Sequence, residues 1–536
     1  MSRSVLNRAL PFLLALACIR VRAANGPFFN VADYGAVRDG SASSTDAFRA
    51  AIQAAKAAGG GTVFVPAGTY VTGPIELISN MTLDLDAGAT LRFPAAHLPF
   101  TEGREQGIEC LTPVPLIGGR NLHDVAIIGQ GILTTSNEDW LNLLGRPEKN
   151  TAAGPGSVFG PDWTRLLTAL EKRSPAPKEL YEKAAPHLRP SFVRFMDSTN
   201  VLIEGVHFIG SPMWTVHILY STKVVVDGVS IDTYPGVHTD GIAVDSSSDV
   251  RISNCFINTG DDGIVLKSGK DADGLRVNRP TQNVTITNCN VYHAHGAVVL
   301  GSEIAGGIKN VVASNITCHG TQIGVRIKSR RGRGGRVENV RFDNWTMENV
   351  PVGINVTNYY IMEGEKPTNE QPVSNRTPVF RDIAISHMTI TSSKVPIEIE
   401  GLPEMPIAGL RISDVIASGR TGLEGFNTTG MELHDIRINA TAGPAFLLRD
   451  CKQLELDDVT STKPLPAMPV IRLDHCPGAI IRNSRAFPGT GTFLSVAPGE
   501  LSKLTLAADT LDEAKTPKTE SNADFWQEYG PAPDTQ

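Results

Sequence analysis

From Val201 onward the chain repeats one short phrase: apolar and polar residues alternate, a small or polar residue interrupts, and an apolar residue follows. VLIEGVHF begins at Val201, VVVDGVSI at Val224, VRISNCFI at Val250 and VTITNCNV at Val284. VVASNITC begins at Val311, VRFDNWTM at Val340, IAISHMTI at Ile383 and LRISDVIA at Leu410. Fainter copies start at Met431, Leu454 and Ala479, and VAIIGQGI at Val125 is an earlier one. Strict alternation marks short strands with one buried face. From Val201 to Ala479 the copies start 21 to 43 residues apart, which is too short for a propeller blade. The pattern predicts an all-β fold: a single right-handed parallel β-helix, each coil stacked on the last. Asn254, Asn288, Asn315 and Asn344 share one place in the phrase. That place is the first corner of the coil, where stacked amides can hydrogen-bond from rung to rung.

A solenoid needs covered ends. Residues 43–61, SSTDAFRAAIQAAKAAGGG, open with capping residues, continue as an alanine-rich amphipathic helix and stop at glycines. They are expected to close the N-terminal end. Segment 134–190 leaves the repeat, and WTRLLTALEKR and PKELYEKAAPHL within it read as helices, so it is an insertion on the solenoid wall. The expected organisation is a signal peptide over 1–23, a β-helix domain over 24–498 and a partly ordered tail over 499–536.

Composition narrows the function. The chain has 536 residues, 51 glycines, 6% aromatics and a formal net charge of −7, a balance that does not suggest nucleic-acid binding. Arg3 and Arg8 precede an apolar run from Ala9 to Ile19 that is too short to span a bilayer, followed by Val21-Arg22-Ala23 as a cleavage site. Export, to a periplasm or the exterior, is the expectation. Six cysteines remain after the signal; they are too sparse for a disulfide scaffold and lack zinc-site spacing, so buried free thiols are expected.

Candidate chemistry gathers at a glycine that opens one strand of each coil. HTDGI places Asp240 before Gly241, GDDGI places Asp261 and Asp262 before Gly263, and HAHG places His295 before Gly296. In the next coil Arg326 and Lys328 follow Gly324. Singly, each is an ordinary turn or a solvated edge. Together they set carboxylates, an imidazole and two cations on successive coils at nearly one rung. Alternation turns Arg326 and Lys328 away from the core. From Ile304 to Val337 there is no Asp or Glu, while Lys309, Arg326, Lys328, Arg330, Arg331, Arg333 and Arg336 all occur. An acidic chain that concentrates positive charge there suits an acidic ligand. Arg330–Arg336 also reads as a solvated loop.

HTDGI, GDDGI, AHG and RIK, in this order on a β-helix, resemble the signature of glycoside hydrolase family 28, the polygalacturonases and their relatives. The resemblance runs from about Phe28 to Tyr360 and takes in VADYGAVRDG, LRPSFVRF and GSEIAGGIKN. It implies inverting hydrolysis of α-linked galacturonic acid in pectic polysaccharide, with no cofactor and no metal. By matched position Asp261 is the acid, Asp240 and Asp262 hold and deprotonate water, and His295 tunes the acid. Arg326 and Lys328 hold a sugar carboxylate and Tyr360 stacks on a sugar face. Crowding of three carboxylates is expected to raise one pKa and keep a proton available. Two positions depart from the family: His238 stands where Asn is usual, and Ala294 where Gly is usual. His238 is expected to reshape hydrogen bonding near Asp240 or meet a different sugar. A monomer with no membrane span is expected. A β-helical pectate lyase and a non-catalytic polysaccharide-binding or adhesion β-helix are the competing functions. Homogalacturonan, rhamnogalacturonan and decorated fragments stay open as substrates, as do endo and exo action.

Overall fold

The computed structural model describes residues 26–144, 188–361 and 368–530, with scattered helical positions between 162 and 183. The signal-peptide segment lies outside the described residues. Nearly all strands join one parallel sheet that winds into a solenoid, as the alternation predicts. The repeat starts are true rungs: Val125, Val201, Val224, Val250, Val284, Val311, Val340, Ile383 and Leu410 pair in unbroken register. Their side chains, with the next apolar position of each phrase, fill one continuous core along the axis.

The corner asparagines adopt left-handed backbone, with φ of 57°, 55°, 57° and 59° at Asn254, Asn288, Asn315 and Asn344. Asparagine tolerates that conformation better than most residues. Asn288 Nδ2 donates to Asn254 Oδ1 at 3.4 Å, Asn315 to Asn288 at 3.1 Å and Asn344 to Asn315 at 2.8 Å. A second ladder, Asn283, Asn310 and Asn339, runs along the preceding corner with bonds of 3.0 and 2.8 Å. Sequence reading did not anticipate it.

The capping helix forms over Thr45–Ala57 and buries Ala47, Phe48, Ala51, Ile52 and Ala55. In the 134–190 segment, Thr134 ends the strand Ile132–Thr134, and a helix over Asn137–Leu143 follows, with Trp140 in the core. The two predicted helices further on lie largely outside the described residues. The expected tail from 499 needs correction. Strands Thr505–Ala507 and Thr516–Glu520 continue the ladder on Ile480–Arg482 and Thr492–Val496. They are too short and polar to show alternation; backbone bonding to the preceding coil holds them.

One element breaks the parallel order. Phe100–Glu105 and Ile108–Pro113 form an antiparallel hairpin, which the sequence reading missed. Its arm and tip lie across later coils. Arg104 pairs with Asp245 at 2.6 Å with both side chains fully buried, and the Gly107 carbonyl accepts from the Lys270 backbone N–H at 2.8 Å. Glu109 N–H donates to Asp273 at 2.9 Å, and the Tyr220 hydroxyl donates to Glu109 at 2.7 Å.

Candidate active site

The site sits on the stacked strands Val216–Leu219, Ile242–Asp245, Ile264–Lys267, Val298–Gly301 and Ile323–Lys328. Inward residues enter the core. Outward Ala243, Val265 and Val299 meet Met213 and Trp214 in a small separate apolar floor. The turns that lead into these strands carry the acids. Ile242 pairs with Ile264, so Asp240 and Asp262 stand on adjacent rungs of one column. Ile264 pairs with Val298, so Gly263 faces Ala297 rather than Gly296. His295 therefore sits beside Asp261, one place from where alignment on the glycines puts it. Its backbone N–H donates to the Asp261 carbonyl at 3.0 Å, and its Nδ1 lies 3.2 Å from Asp261 Oδ1. The glycines are needed for this stacking: a Cβ on Gly241 would meet the Gly263 carbonyl at 2.4 Å.

The adjacent acids have different partners. Asp262 is buried and accepts from Lys328 Nζ at 2.9 Å. The Asp261 side chain keeps 20% of its surface and faces His295. Asp240 is buried and lies 3.5 Å from Lys267 Nζ, which also reaches Glu303 at 3.3 Å and caps the Trp214 ring at 4.6 Å. Sequence reading named neither Lys267 nor Glu303 as functional. The signal available was Lys267 two residues past Val265, which turns it to the same outward face of the strand, ahead of a glutamate in GSE.

One carboxyl is raised, and it is Asp240 rather than the expected acid Asp261. Burial is the main cause, and Asp261 and Asp262 add to it against the pull of Lys267. Asp261 moves the other way: burial would raise it, but the hydrogen bond and charge of His295, with His238 and Lys328, bring it below the usual range. His295 rises correspondingly, first through its hydrogen bond to Asp261. Burial works against the Lys267 ammonium, yet Glu303 and Asp240 outweigh it and its pKa rises. Glu303 falls to about 2, because Lys267, Arg333, Lys328 and Lys270 overcome its burial. The cluster therefore favours the protonated form at Asp240 and a charge-paired contact between His295 and Asp261.

Arg326 and Lys328 leave the strand on its outer side, as alternation requires, but both are covered, at 4% and 5% exposure. Lys328 is committed to Asp262. Arg326 Nε has no hydrogen-bond partner among the described residues. Both cations flank Tyr360, at 5.1 and 4.9 Å from its ring centroid. The Arg330–Arg336 loop is not a solvated basic loop throughout. Arg331 is buried, forks onto both oxygens of Glu404 and packs over Tyr359 at 5.3 Å, and Arg333 is fully covered. His238 is held by Arg189, whose Nη2 lies 3.1 Å from its Nδ1. Burial and Arg189 push His238 down to about 4, so it stands neutral beside Asp261. Ala294 is buried in the core, and its carbonyl accepts from the Gln322 backbone N–H at 2.8 Å.

Comparison with known proteins decides the family. The model described as glycosyl hydrolases family 28 matches residues 181–429, the span that carries every one of these side chains. A second, described as rhamnogalacturonase A/epimerase, pectate lyase-like, matches residues 28–91. An exopolygalacturonase structure from Thermotoga maritima is 32% identical, covers 78% of this chain and 93% of its own, and superposes with a TM-score of 0.69. The chain belongs to glycoside hydrolase family 28. A probable polygalacturonase of Vitis vinifera is 28% identical over 78% of this chain and 80% of its own length. An exo-poly-alpha-D-galacturonosidase of Dickeya chrysanthemi is 27% identical over 69% of this chain and 64% of its own. As a family 28 member the protein is a glycoside hydrolase on a parallel β-helix, which sets aside the reading as a non-catalytic adhesion protein.

Proposed function

We propose that this family 28 hydrolase cleaves α-linked galacturonic acid in pectic polysaccharide with inversion, and that Asp261 protonates the leaving oxygen. The observation that carries the reading is the split of the three aspartates between two environments. Asp261 shares a proton with His295 at a partly open position. Asp240 and Asp262 lie together under two lysines, a placement that suits holding a water. Inversion needs this division, with acid and base carboxyls roughly 6.5–9.5 Å apart to leave room for water.

Proton accounting follows from the electrostatics. The His295 imidazolium stores the proton that Asp261 delivers across the Nδ1–Oδ1 contact. An entering sugar carboxylate adds negative charge to the cluster and raises the proton affinity of Asp261. Lys267 stands 3.5 Å from Asp240 and opposes the rise of its pKa, and Lys328 donates to Asp262, a placement that suits carboxylates accepting the proton of the attacking water. Arg326, whose cation pairs with no carboxylate among the described residues, holds the sugar carboxylate, and the exposed part of Tyr360 meets the sugar beside it. His238 stands neutral beside Asp261 and, held by Arg189, shapes the wall of the cleft there.

The hairpin tip supports attack at a chain end. Gly107 packs so closely on Glu303 and Lys270 that a Cβ there would fall within 3 Å of both, which walls off the cleft next to Lys267. The relatives named as exo-acting enzymes agree with this. The apolar N-terminal run supports export, and among the described residues no helix is long and apolar enough to cross a membrane.

Early-turnover NMR on an oligogalacturonide tests the scheme: the first-formed sugar should be the β anomer, and an initial α anomer refutes inversion. An unsaturated, ultraviolet-absorbing product would instead identify a lyase. Asp261→Asn should lower kcat by about 10²–10⁴-fold with melting unchanged.

A further inference from the structure

Beside the catalytic turns, the outer wall of four consecutive coils carries aromatic rings that neither the core nor the cleft uses. Tyr234 and Phe256 are 52% and 46% exposed. Tyr234 stacks on His293 with centroids 4.6 Å apart and planes at 27°. Phe256 lies 4.9 Å from Tyr292, and Tyr292 lies 6.2 Å from His319. Register places them: Asn258, Tyr292 and His319 form one column, and Phe256 stands beside Asn290 in the next. Four coils at strand spacing make a strip about 14 Å long, parallel to the solenoid axis.

The strip is fixed rigidly to the catalytic loops. Tyr234 belongs to the turn that ends in Asp240, and His293 to the one that ends in His295. Gly260, just before Asp261, lies so close to the Tyr234 turn that a Cβ would fall 1.9 Å from the Gly236 carbonyl. Asn258 donates to Asp232 at 2.9 Å and accepts from His293 Nδ1 at 3.0 Å, which holds the imidazole flat against Tyr234. His293 Nε2 is then left as an acceptor at the strip's surface.

Charge distinguishes the strip from the cleft. The column Ile209, Asp232, Asn258, Tyr292, His319, Glu348 contains no Lys or Arg and carries a carboxylate towards each end. The neighbouring column His207, Ser230, Phe256, Asn290, Thr317, Thr346 has none either. Aromatic faces without cations favour the C–H faces of uncharged pyranoses and do nothing to attract an ionised galacturonate.

We propose that this aromatic strip is a second carbohydrate-binding site, which takes an uncharged stretch of the pectic chain, methyl-esterified or neutral, while the cationic cleft takes the ionised sugar. The inference rests on the pectin-hydrolase reading for its substrate, and its test separates the two. The probe is affinity electrophoresis in gels containing either highly methyl-esterified pectin or fully de-esterified galacturonan, on an Asp261→Asn background that keeps the gel intact. The background protein should be retarded in both. Adding Tyr234→Ala, Phe256→Ala and Tyr292→Ala should abolish most retardation in esterified pectin and leave that in galacturonan unchanged. In the active protein the triple substitution should lower kcat/KM on esterified pectin at least about tenfold through KM, with short oligogalacturonides hydrolysed as before. Equal retardation of both proteins in esterified pectin overturns the proposal, as does equal loss in the two gels. If the parent hydrolyses no pectic polymer but the gel difference appears, the strip stands and the hydrolase reading falls.

Discussion

Lys267→Met removes the cation that faces Asp240 while keeping an apolar stem over Trp214. At 3.5 Å, a unit charge pair interacts by about 5 kcal/mol at an effective dielectric constant of about 20. Even a quarter of that is worth about one pKa unit. Asp240 already lies above the carboxylate range, chiefly through burial, so losing Lys267 drives it higher. If ionised Asp240 helps to deprotonate the attacking water, the acid limb of the kcat/KM–pH profile must move to higher pH by about one unit or more. Glu303 also loses a partner but keeps Arg333, Lys328 and Lys270 nearby. Stability should therefore fall by less than the roughly 3–5 kcal/mol typical of a stranded buried charge. The assay is kcat/KM across the acid range on one oligogalacturonide, with melting curves at each pH to confirm folding. A variant that stays folded and loses activity equally at every pH, with the acid limb unmoved, refutes the coupling of Lys267 to the base.

Three further outcomes follow from the same geometry. Arg326→Met should weaken kcat/KM on an acidic oligomer by about 1.5–3 kcal/mol, the range for charged hydrogen bonds, and matter little on its methyl ester; Lys328→Met, which strands Asp262, should cost both forms alike. His295→Gln should move the alkaline limb to lower pH by about one unit or more: the raised His295 holds its proton below its own pKa and releases it as pH rises through that value, and glutamine stores none. Asp240→Asn should abolish turnover yet raise stability near pH 7 by about 1 kcal/mol or more in denaturant unfolding. A carboxyl whose folded pKa is raised stabilises fully only below its unfolded value and loses that contribution as pH rises through the folded one, and the amide has no proton to lose.

Much of this was legible because alternation in a parallel solenoid encodes facing directly. Each repeat start from Val125 to Leu410 is a Cα partner of the next, and the outward direction of Arg326 and Lys328 was readable from Val325 and Ile327 alone. What failed was register at the turns. GDDG and HAHG look equivalent, but the backbone pairs Gly263 with Ala297, and that single step is why His295 meets Asp261. Charge pairing was also hidden. Arg331 reads as a surface cation until Glu404, 73 residues later, closes on it. The Lys267–Asp240 contact joins the end of one strand to the turn of the coil before, which a linear pattern does not display.

The Phe100–Pro113 hairpin has a mechanical consequence. In a solenoid each coil touches only its neighbours, so such a chain tends to fray from its ends one rung at a time. Here Arg104 is bound to Asp245 across 141 residues of sequence, and Glu109 reaches Asp273 across 164. The hairpin acts as a clasp that skips the intervening rungs. Peeling the N-terminal coils requires breaking a fully buried ion pair on the catalytic ones, so coils that would unzip in sequence are locked into one cooperative block.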